Sequence, residues 1–350
     1  MEKVLLGMSG GIDSTFACRA LQEKGYEVEG LFLSLHKNAS SDDAKEAAKR
    51  LGIKLHVADY SALFEREVEE YFISEYLKGR TPNPCVVCNR RIKFYTLLCE
   101  ANKLGIHYVA TGHYVRIGKS GERYFLKSAA DSKKDQSYFL WQLTQEQLSR
   151  FLTPLAELEK RHVIEEVRNS NLVDKTEESQ EICFVPDDDY VKYLKERLNE
   201  KEKEQAFAKG NFVLKDGRKV GEHNGIASYT VGQRKGLGVA LGRPAFVIEI
   251  KPDSKEVVLG FETDNISDTV KVSSINFVGL APFVGELDCF VRPRYRSPLI
   301  PCTVSVENGE AIAKTHTPIK MPSPGQSAVF YNSLGEVLFG GYIELSFGKK

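Results

Sequence analysis

The chain has 350 residues, more than one ordinary domain holds, so two or three domains are expected. Hydrophobic residues make up 42% and charged residues 27%, which excludes a disordered or fibrous chain. The 48 basic and 48 acidic residues cancel, so no overall field marks a nucleic-acid binder, although a local basic patch would serve for phosphate contacts. No stretch of about 18 apolar residues occurs, and Met1-Glu2-Lys3-Val4 leads directly into a strand-like run without a signal peptide. The expectation is a cytoplasmic protein with no membrane partner. Seven cysteines, an odd number in a reducing compartment, argue against a disulfide framework.

Residues 3–8 predict a short buried strand ending in a glycine turn. Residues 13–24 predict a helix with Phe16, Ala17, Ala20 and Leu21 on one face. A strand near 28–35, a helix over 42–51 and a strand over 54–58 follow. The next helix carries Leu63, Phe64, Val68, Tyr71 and Phe72. Another spans about 90–104, and a strand over 108–110 ends in Thr111-Gly112-His113. Strands alternating with helices imply a parallel sheet covered on both faces, with ligands at the carboxyl ends of the strands. Residues 144–200 read as mainly helical, with a loop over 177–189. The charge run 199–205 reads as a solvated helix end or linker. Beyond Asn211, short β-branched runs alternate with Gly, Pro and Asp turns, as expected of a small β-rich domain and a β-barrel. The division expected is 1–200 for an α/β catalytic domain, 201–268 for a β-rich central domain and 269–350 for a C-terminal β-barrel.

Ser9-Gly10-Gly11-Ile12-Asp13-Ser14 lies between the first strand and the first helix. Small residues let the backbone approach phosphate oxygens, and the first helix amides point at the anion. The Ser9 and Ser14 hydroxyls can add donors, and Asp13 can hold magnesium or cap the helix. A plain glycine-rich turn before a capped helix would look the same locally, but the strand–loop–helix setting favours phosphate. The loop lacks the Gly-Lys-Ser/Thr ending of a Walker A motif.

In Thr81-Pro82-Asn83-Pro84-Cys85-Val86-Val87-Cys88-Asn89-Arg90-Arg91-Ile92-Lys93-Phe94, two prolines stiffen a loop and a helix is expected just after Cys88. A cysteine at a helix start near Arg90, Arg91 and Lys93 is expected to have a lowered pKa. Ser179-Gln180-Glu181-Ile182-Cys183-Phe184 offers a further thiol, far along the chain yet free to meet Cys88 in space.

The loop SGGIDS resembles the pyrophosphate loop of the N-type ATP pyrophosphatases, which cleave ATP between its α and β phosphates and adenylate a substrate. In this order, SGGIDS, TPNPCVVCNRRIKF, ATGHY, KDQSYFL, SQEICFV, TVGQRKGLG and RPRYRSP resemble the bacterial tRNA-specific 2-thiouridylase family across essentially the whole chain. That resemblance implies a Rossmann-like PP-loop domain, ATP and Mg2+ as cofactors, tRNA as partner, and a sulfur donor such as a cysteine desulfurase or relay protein. O2 of the wobble uridine would be adenylated and then replaced by sulfur. By the same resemblance Cys183 carries a persulfide, and Cys88 releases its sulfur and closes a transient disulfide with Cys183. Gly7, Met8, Ser9, Gly10, Gly11, Ile12, Asp13, Ser14, Leu33 and Gly112 align with the ATP site. Asn83, Pro84 and Cys85 align with the segment facing the target base. Lys134, Asp135, Gln136, His113, Arg294, Tyr295 and Gln326 align with tRNA contacts.

Many members of that family carry Asp where this chain has Cys85. With Cys88 and Cys183 it supplies three thiols that could hold a [4Fe–4S] cluster with one open iron, an alternative sulfur route. Arg292, Arg294 and Arg296 alternate, so they are expected to share one strand face suited to a phosphate backbone. Cys18, Cys99, Cys289 and Cys302 are expected in the core, and Tyr138, Phe139 and Trp141 as packing residues. Two other functions compete. A small-molecule adenylating ligase of the same superfamily would not need the paired cysteines. A non-catalytic RNA binder with a decayed nucleotide site is opposed by the intact loop.

Overall fold

Val4, Leu5 and Leu6 are fully buried because β1 (Lys3–Gly7) is the middle strand of a sheet covered on both faces. The computed structural model describes residues 1–36, 39–170, 172–173 and 182–344. From β1 the chain passes through α1 (Ile12–Glu23), β2 (Glu27–Ser34), α2 (Asp42–Leu51) and β3 (Leu55–Asp59). Two longer helices follow, α3 over 61–77 and α4 over 84–103, each containing a π-wound stretch, at Glu65–Glu69 and Asn89–Phe94. Then come β4 (Tyr108–Ala110), a hairpin of β5 (Arg116–Ser120) and β6 (Arg123–Lys127), α5 (Gln145–Arg150), β7 (Phe151–Leu152) and α6 (Lys160–Asn169). The sheet order is β3-β2-β1-β4-β7, and every pairing is parallel. The order reverses between β1 and β4, so a crevice opens beyond their carboxyl ends. The expected parallel sheet is therefore present, and its switch point lies where the glycine loop and Thr111-Gly112-His113 emerge.

Two helices, α7 (Tyr190–Arg197) and α8 (Glu200–Phe207), lead into the second part. The charge run is thus not a linker. Asn199 and Glu202 form a reciprocal capping box that starts α8, and Ala206 is buried against Phe72 and Leu194. Within 144–200 the structure holds α5, α6 and α7. Residues 177–181 of the expected loop lie outside the described residues.

The central sheet has the order β10-β11-β8-β9, from β8 (Gly210–Leu214), β9 (Lys219–His223), β10 (Phe246–Lys251) and β11 (Glu256–Gly260). The last part is a barrel of β12 (Ile266–Asn276), β13 (Gly285–Arg292), β14 (Ile300–Glu307), β15 (Glu310–Lys320), β16 (Ser327–Tyr331) and β17 (Glu336–Ile343). Pairing of β12 with both β15 and β17 closes these six strands and removes their free edges. Along β15 buried and exposed residues alternate, which is the period of a barrel wall. The β-barrel expectation is borne out.

The sequence does not announce the β5–β6 hairpin. It leaves the first domain and adds β6 to the barrel beside β17, with Leu126 opposite Val337. Trp141 is wholly buried at this junction. Its indole Nε1 donates to Ser327 Oγ at 3.0 Å, and its ring occupies the space a Cβ on Gly340 would need, 2.5 Å away. Trp141 and Tyr138 are packing residues, as expected. Cys18, Cys289 and Cys302 are buried, whereas Cys99 is only partly so.

Candidate functional site

The glycine loop is shaped by its own serines and by the start of α2 and the end of β4 packed against it. Gly10 has φ of 84°, and a Cβ there would lie 2.4 Å from the Ala44 nitrogen at the start of α2. Ser14 Oγ donates to the Gly11 carbonyl at 3.1 Å and lies 3.2 Å from Ser9 Oγ. Gly112 lets the end of β4 reach the loop, since a Cβ would lie 2.9 Å from the Asp13 backbone carbon. Asp13 does not cap α1. Its Oδ1 accepts from the Tyr114 hydroxyl at 2.9 Å and from the buried Lys160 ammonium at 2.6 Å.

A cavity of about 260 Å³ lies over the crevice. Gly7, Met8, Ser9, Asp13 and Ser14 form one wall, and Leu31, Phe32, Leu33 and Leu35 form an apolar one. Lys93 and Leu97 of α4 close it with Thr111, Gly112, His113 and Gln136. Gly10, Gly11 and Ile12 do not line it; Ile12 is buried in the core below. His113 lies 2.7 Å through Nδ1 from Thr111 Oγ1. Burial, helped by the Lys93 charge, pushes the His113 pKa down to about 3, so its imidazole is neutral.

The cysteine helix starts earlier than the sequence suggests. Pro84 opens it, with buried Asn83 before it, because a first-turn proline gives up no hydrogen bond. Cys85 and Cys88 therefore lie one turn apart on one side of α4. The expected lowered thiol pKa is not found. Burial pushes Cys88 up to about 12, against the opposing pull of Lys93. Cys85 has exposed surface but is crowded by neighbouring atoms, and its thiol is also pushed up. Desolvation outweighs the helix start and the nearby cation.

Cys183 is exposed, and its charge acts on Cys88, Cys85 and Lys93, so the three thiols and this ammonium share one neighbourhood. Phe184 secures the arrangement. Its ring packs edge-on against Phe64, Phe72 and Tyr193 at 5.5, 5.3 and 5.4 Å. Phe64 also belongs to the apolar cluster that holds Cys88. Residues 179–181 of the SQEICFV run lie outside the described residues. On its outer side Cys183 borders a second cavity with Glu65, Glu69 and Arg197. Among the described residues no three Cys, His, Asp or Glu side chains are gathered as metal ligands. The [4Fe–4S] alternative therefore finds no support, with Cys88 enclosed and Cys183 open to solvent.

Several residues aligned with tRNA contacts hold the protein together. Gln326 Nε2 donates to the carbonyls of Thr81 at 3.1 Å and Pro82 at 2.8 Å. The Thr81 amide donates to the Pro324 carbonyl at 2.8 Å. Arg294 donates to the Met321 carbonyl and Ser323 Oγ, and Ser323 Oγ donates to the Val231 carbonyl in the central domain. The three-arginine face does not form, because β13 ends at Arg292. Arg292 binds buried Asp135 at 3.1 Å, Arg294 turns inward and Arg296 is exposed. Asp135 also accepts from the Ala129 and Ser137 amides. Gln136 accepts from the Tyr114 amide, Tyr295 packs on Phe139 with ring centres 4.4 Å apart, and Lys134 is half-buried. Lys93, Leu35 and Thr111 line the cavity without having been singled out for it. Lys93 carried a signal, as the lysine of the cysteine run; Lys160 carried none.

An open parallel sheet with a small-residue loop and an apolar pocket at its switch point defines a doubly wound α/β domain of the nucleotide-binding type. Three family models cover the chain: a tRNA methyl transferase HUP domain over residues 2–187, a tRNA methyl transferase PRC-barrel domain over 192–261, and an aminomethyltransferase beta-barrel domain over 267–343. The chain is 43% identical over 363 residues to tRNA-specific 2-thiouridylase MnmA of Carboxydothermus hydrogenoformans, with 98% of each chain covered. It is 39% identical over 359 residues to the enzyme of the same name from Lachnoclostridium phytofermentans, covering 97% of this chain and 99% of that one. A 4-thiouridine synthetase in complex with RNA and ATP matches more loosely, at TM-score 0.36 and 19% identity over 49% of this chain and 41% of its own. The chain belongs to the tRNA-specific 2-thiouridylase family.

Proposed function

We propose that this chain is a tRNA-uridine 2-sulfurtransferase, which uses ATP to adenylate O2 of the wobble uridine and replaces that oxygen with sulfur. The observation that carries this reading is that Lys93 lines the cavity at the switch point and interacts with all three thiols. The family models speak of methyl transfer and the relatives' names of thiolation. Sulfur fits better, because methyl transfer has no use for a phosphate loop with thiols close by.

In the first step uridine O2 attacks the α phosphorus and pyrophosphate leaves. The loop amides and the Ser9 and Ser14 hydroxyls hold the phosphates, and the apolar wall from Leu31 to Leu35 takes the adenine. We assign Mg2+ to the triphosphate, with Asp13 the carboxylate lining the cavity to meet it. In the second step the outer sulfur of a Cys183 persulfide attacks C2, and AMP leaves with the oxygen. The Cys88 thiolate then attacks Cys183 Sγ. This breaks the sulfur–sulfur bond, leaves sulfur on C2 and joins the two cysteines in a disulfide that an external thiol must reopen. A sulfur-donor protein reloads Cys183 from the exposed side. By the family resemblance we assign Asn83, Pro84 and Cys85 to the target base, and Lys134, His113 and Tyr295 to tRNA contact.

The test is to incubate the purified chain with tRNA, ATP and a sulfide source and to analyse nucleosides by mass spectrometry. ATP-dependent 2-thiouridine at the wobble position is expected. Amide formation on a small molecule, or ATP-independent tRNA binding without turnover, would replace this reading.

A further inference from the structure

We propose that Lys160 is a positioning residue of the nucleotide site: its buried ammonium pins Oδ1 of Asp13 and cancels its charge, which lets a carboxylate line the cavity without repelling a triphosphate. This rests on reading the cavity as the ATP site. Asp13 is the one carboxylate among the described residues lining that cavity. Two donors from outside the glycine loop meet on its Oδ1, the Lys160 ammonium at 2.6 Å and the Tyr114 hydroxyl at 2.9 Å. The same ammonium stands 5.8 Å from the centre of the Tyr114 ring. The Asp13 side chain is 37% exposed and that of Lys160 only 6%, so the cation lies behind the anion. Lys160 does not line the cavity and acts on a nucleotide only through Asp13.

The fold delivers Lys160 to this place. It opens α6, and Val163 and Val167 on the same face of that helix share one apolar cluster with Ile12, Phe16 and Ala17 of α1. Helix α6 therefore packs on α1 and brings its first residue to the first turn of α1. The Lys160 amide donates to Asp131 Oδ2 at 3.0 Å, which satisfies a first-turn donor and fixes the start of α6. A buried ammonium is costly without a partner, and two apolar residues would join the helices at least as well. They would not keep a carboxylate at the cavity wall with its charge balanced. An unbalanced carboxylate beside phosphate oxygens is a juxtaposition of like charges, which opposes binding.

Calorimetry on the full chain tests this, with an ATP analogue carrying a methylene bridge between its α and β phosphates, in EDTA and with Mg2+. Lys160→Met should weaken binding about tenfold or more in EDTA, where the triphosphate bears its full charge, and by less with Mg2+, which offsets part of it. Asp13→Asn should bind the analogue in EDTA more tightly than the parent, because the ammonium is then unopposed. The double variant should return to within about threefold of the parent. A pair with only a structural role gives another pattern: both single variants weakened, equally with and without Mg2+, and no recovery in the double variant. That pattern, or Lys160→Met binding as the parent does, overturns the proposal. A thermal melt shows that each variant is folded. If Lys160→Met is not, Asp13→Asn and the double variant carry the test, and binding in EDTA no tighter in the first than in the second overturns it. A parent chain that binds no analogue overturns the reading of the cavity as the ATP site, and this proposal with it. A parent that binds while the variants fail to follow overturns the role of Lys160 alone.

Discussion

The glycine loop and the cysteine turn meet at one cavity but are built by opposite means. The loop is held mostly within itself, Ser14 on Gly11 and Ser9 beside Ser14, with Gly10 seated against Ala44 at the start of the next helix. The cysteine turn is held from far away, by Pro324 and Gln326 of the barrel on Thr81 and Pro82, and by Phe184 packed over the cluster around Cys88. A local device can be read as a motif. A long-range device makes the thiols depend on the whole molecule being assembled.

Cys183→Ala should break this pairing most completely. No 2-thiouridine should form, while tRNA-dependent pyrophosphate release continues; thiolation that persists removes Cys183 from the chemistry. Gly112→Ala attacks the loop side. Its Cβ falls 2.9 Å from the Asp13 backbone, and the clash should cost about 1–3 kcal/mol. We expect ATP binding weakened by about tenfold or more in calorimetry, with thiol reactivity unchanged. Gln326→Leu attacks the distant side. Two part-buried carbonyls lose their donor, at about 1–3 kcal/mol, so sulfur transfer should slow about tenfold while ATP affinity stays the same. A fall in both would mean that the two regions are not separable.

Smaller effects come from pH. Burial holds His113 neutral down to about 3, so its contribution to stability is complete above the ordinary histidine value of 6.5 and is lost as pH falls from there. The Cys88 thiol stays protonated to about 12 in the fold but ionises near 9.0 when exposed, so stability falls as pH rises above about 9. Melting curves should flatten in part on the acid side in His113→Gln and on the alkaline side in Cys88→Ala. The smallest effect belongs to Arg296→Ala. This exposed side chain should weaken tRNA binding slightly and lower the salt dependence by about one counterion, with no change in melting temperature.

Much of the first domain was legible because its elements are regular and its signals local. The strand–loop–helix at residues 3–23 and the turn after β4 fall where periodicity and glycines place them. The start of α4 was misread because Asn-Pro-Cys looks like loop, yet Pro84 is well suited to a first helical turn. The Cys88 pKa was misjudged for a different reason. Charge and helix position can be counted along a sequence, whereas desolvation depends on what Phe64, Ile92 and their neighbours bring from elsewhere. The hydrogen bonds of Arg294 and Gln326 reach partners in other parts of the chain, which no local stretch announces.

By itself the sequence determined the parallel sheet, the phosphate-type loop and the three cysteines, since backbone periodicity and small-residue turns act over a few positions. Only the tertiary structure decided that Lys93 stands between cavity and thiols, that Cys88 is protonated, and that the barrel clamps the cysteine turn. Burial and long-range hydrogen bonds are properties of the folded chain, and no short stretch of residues contains them.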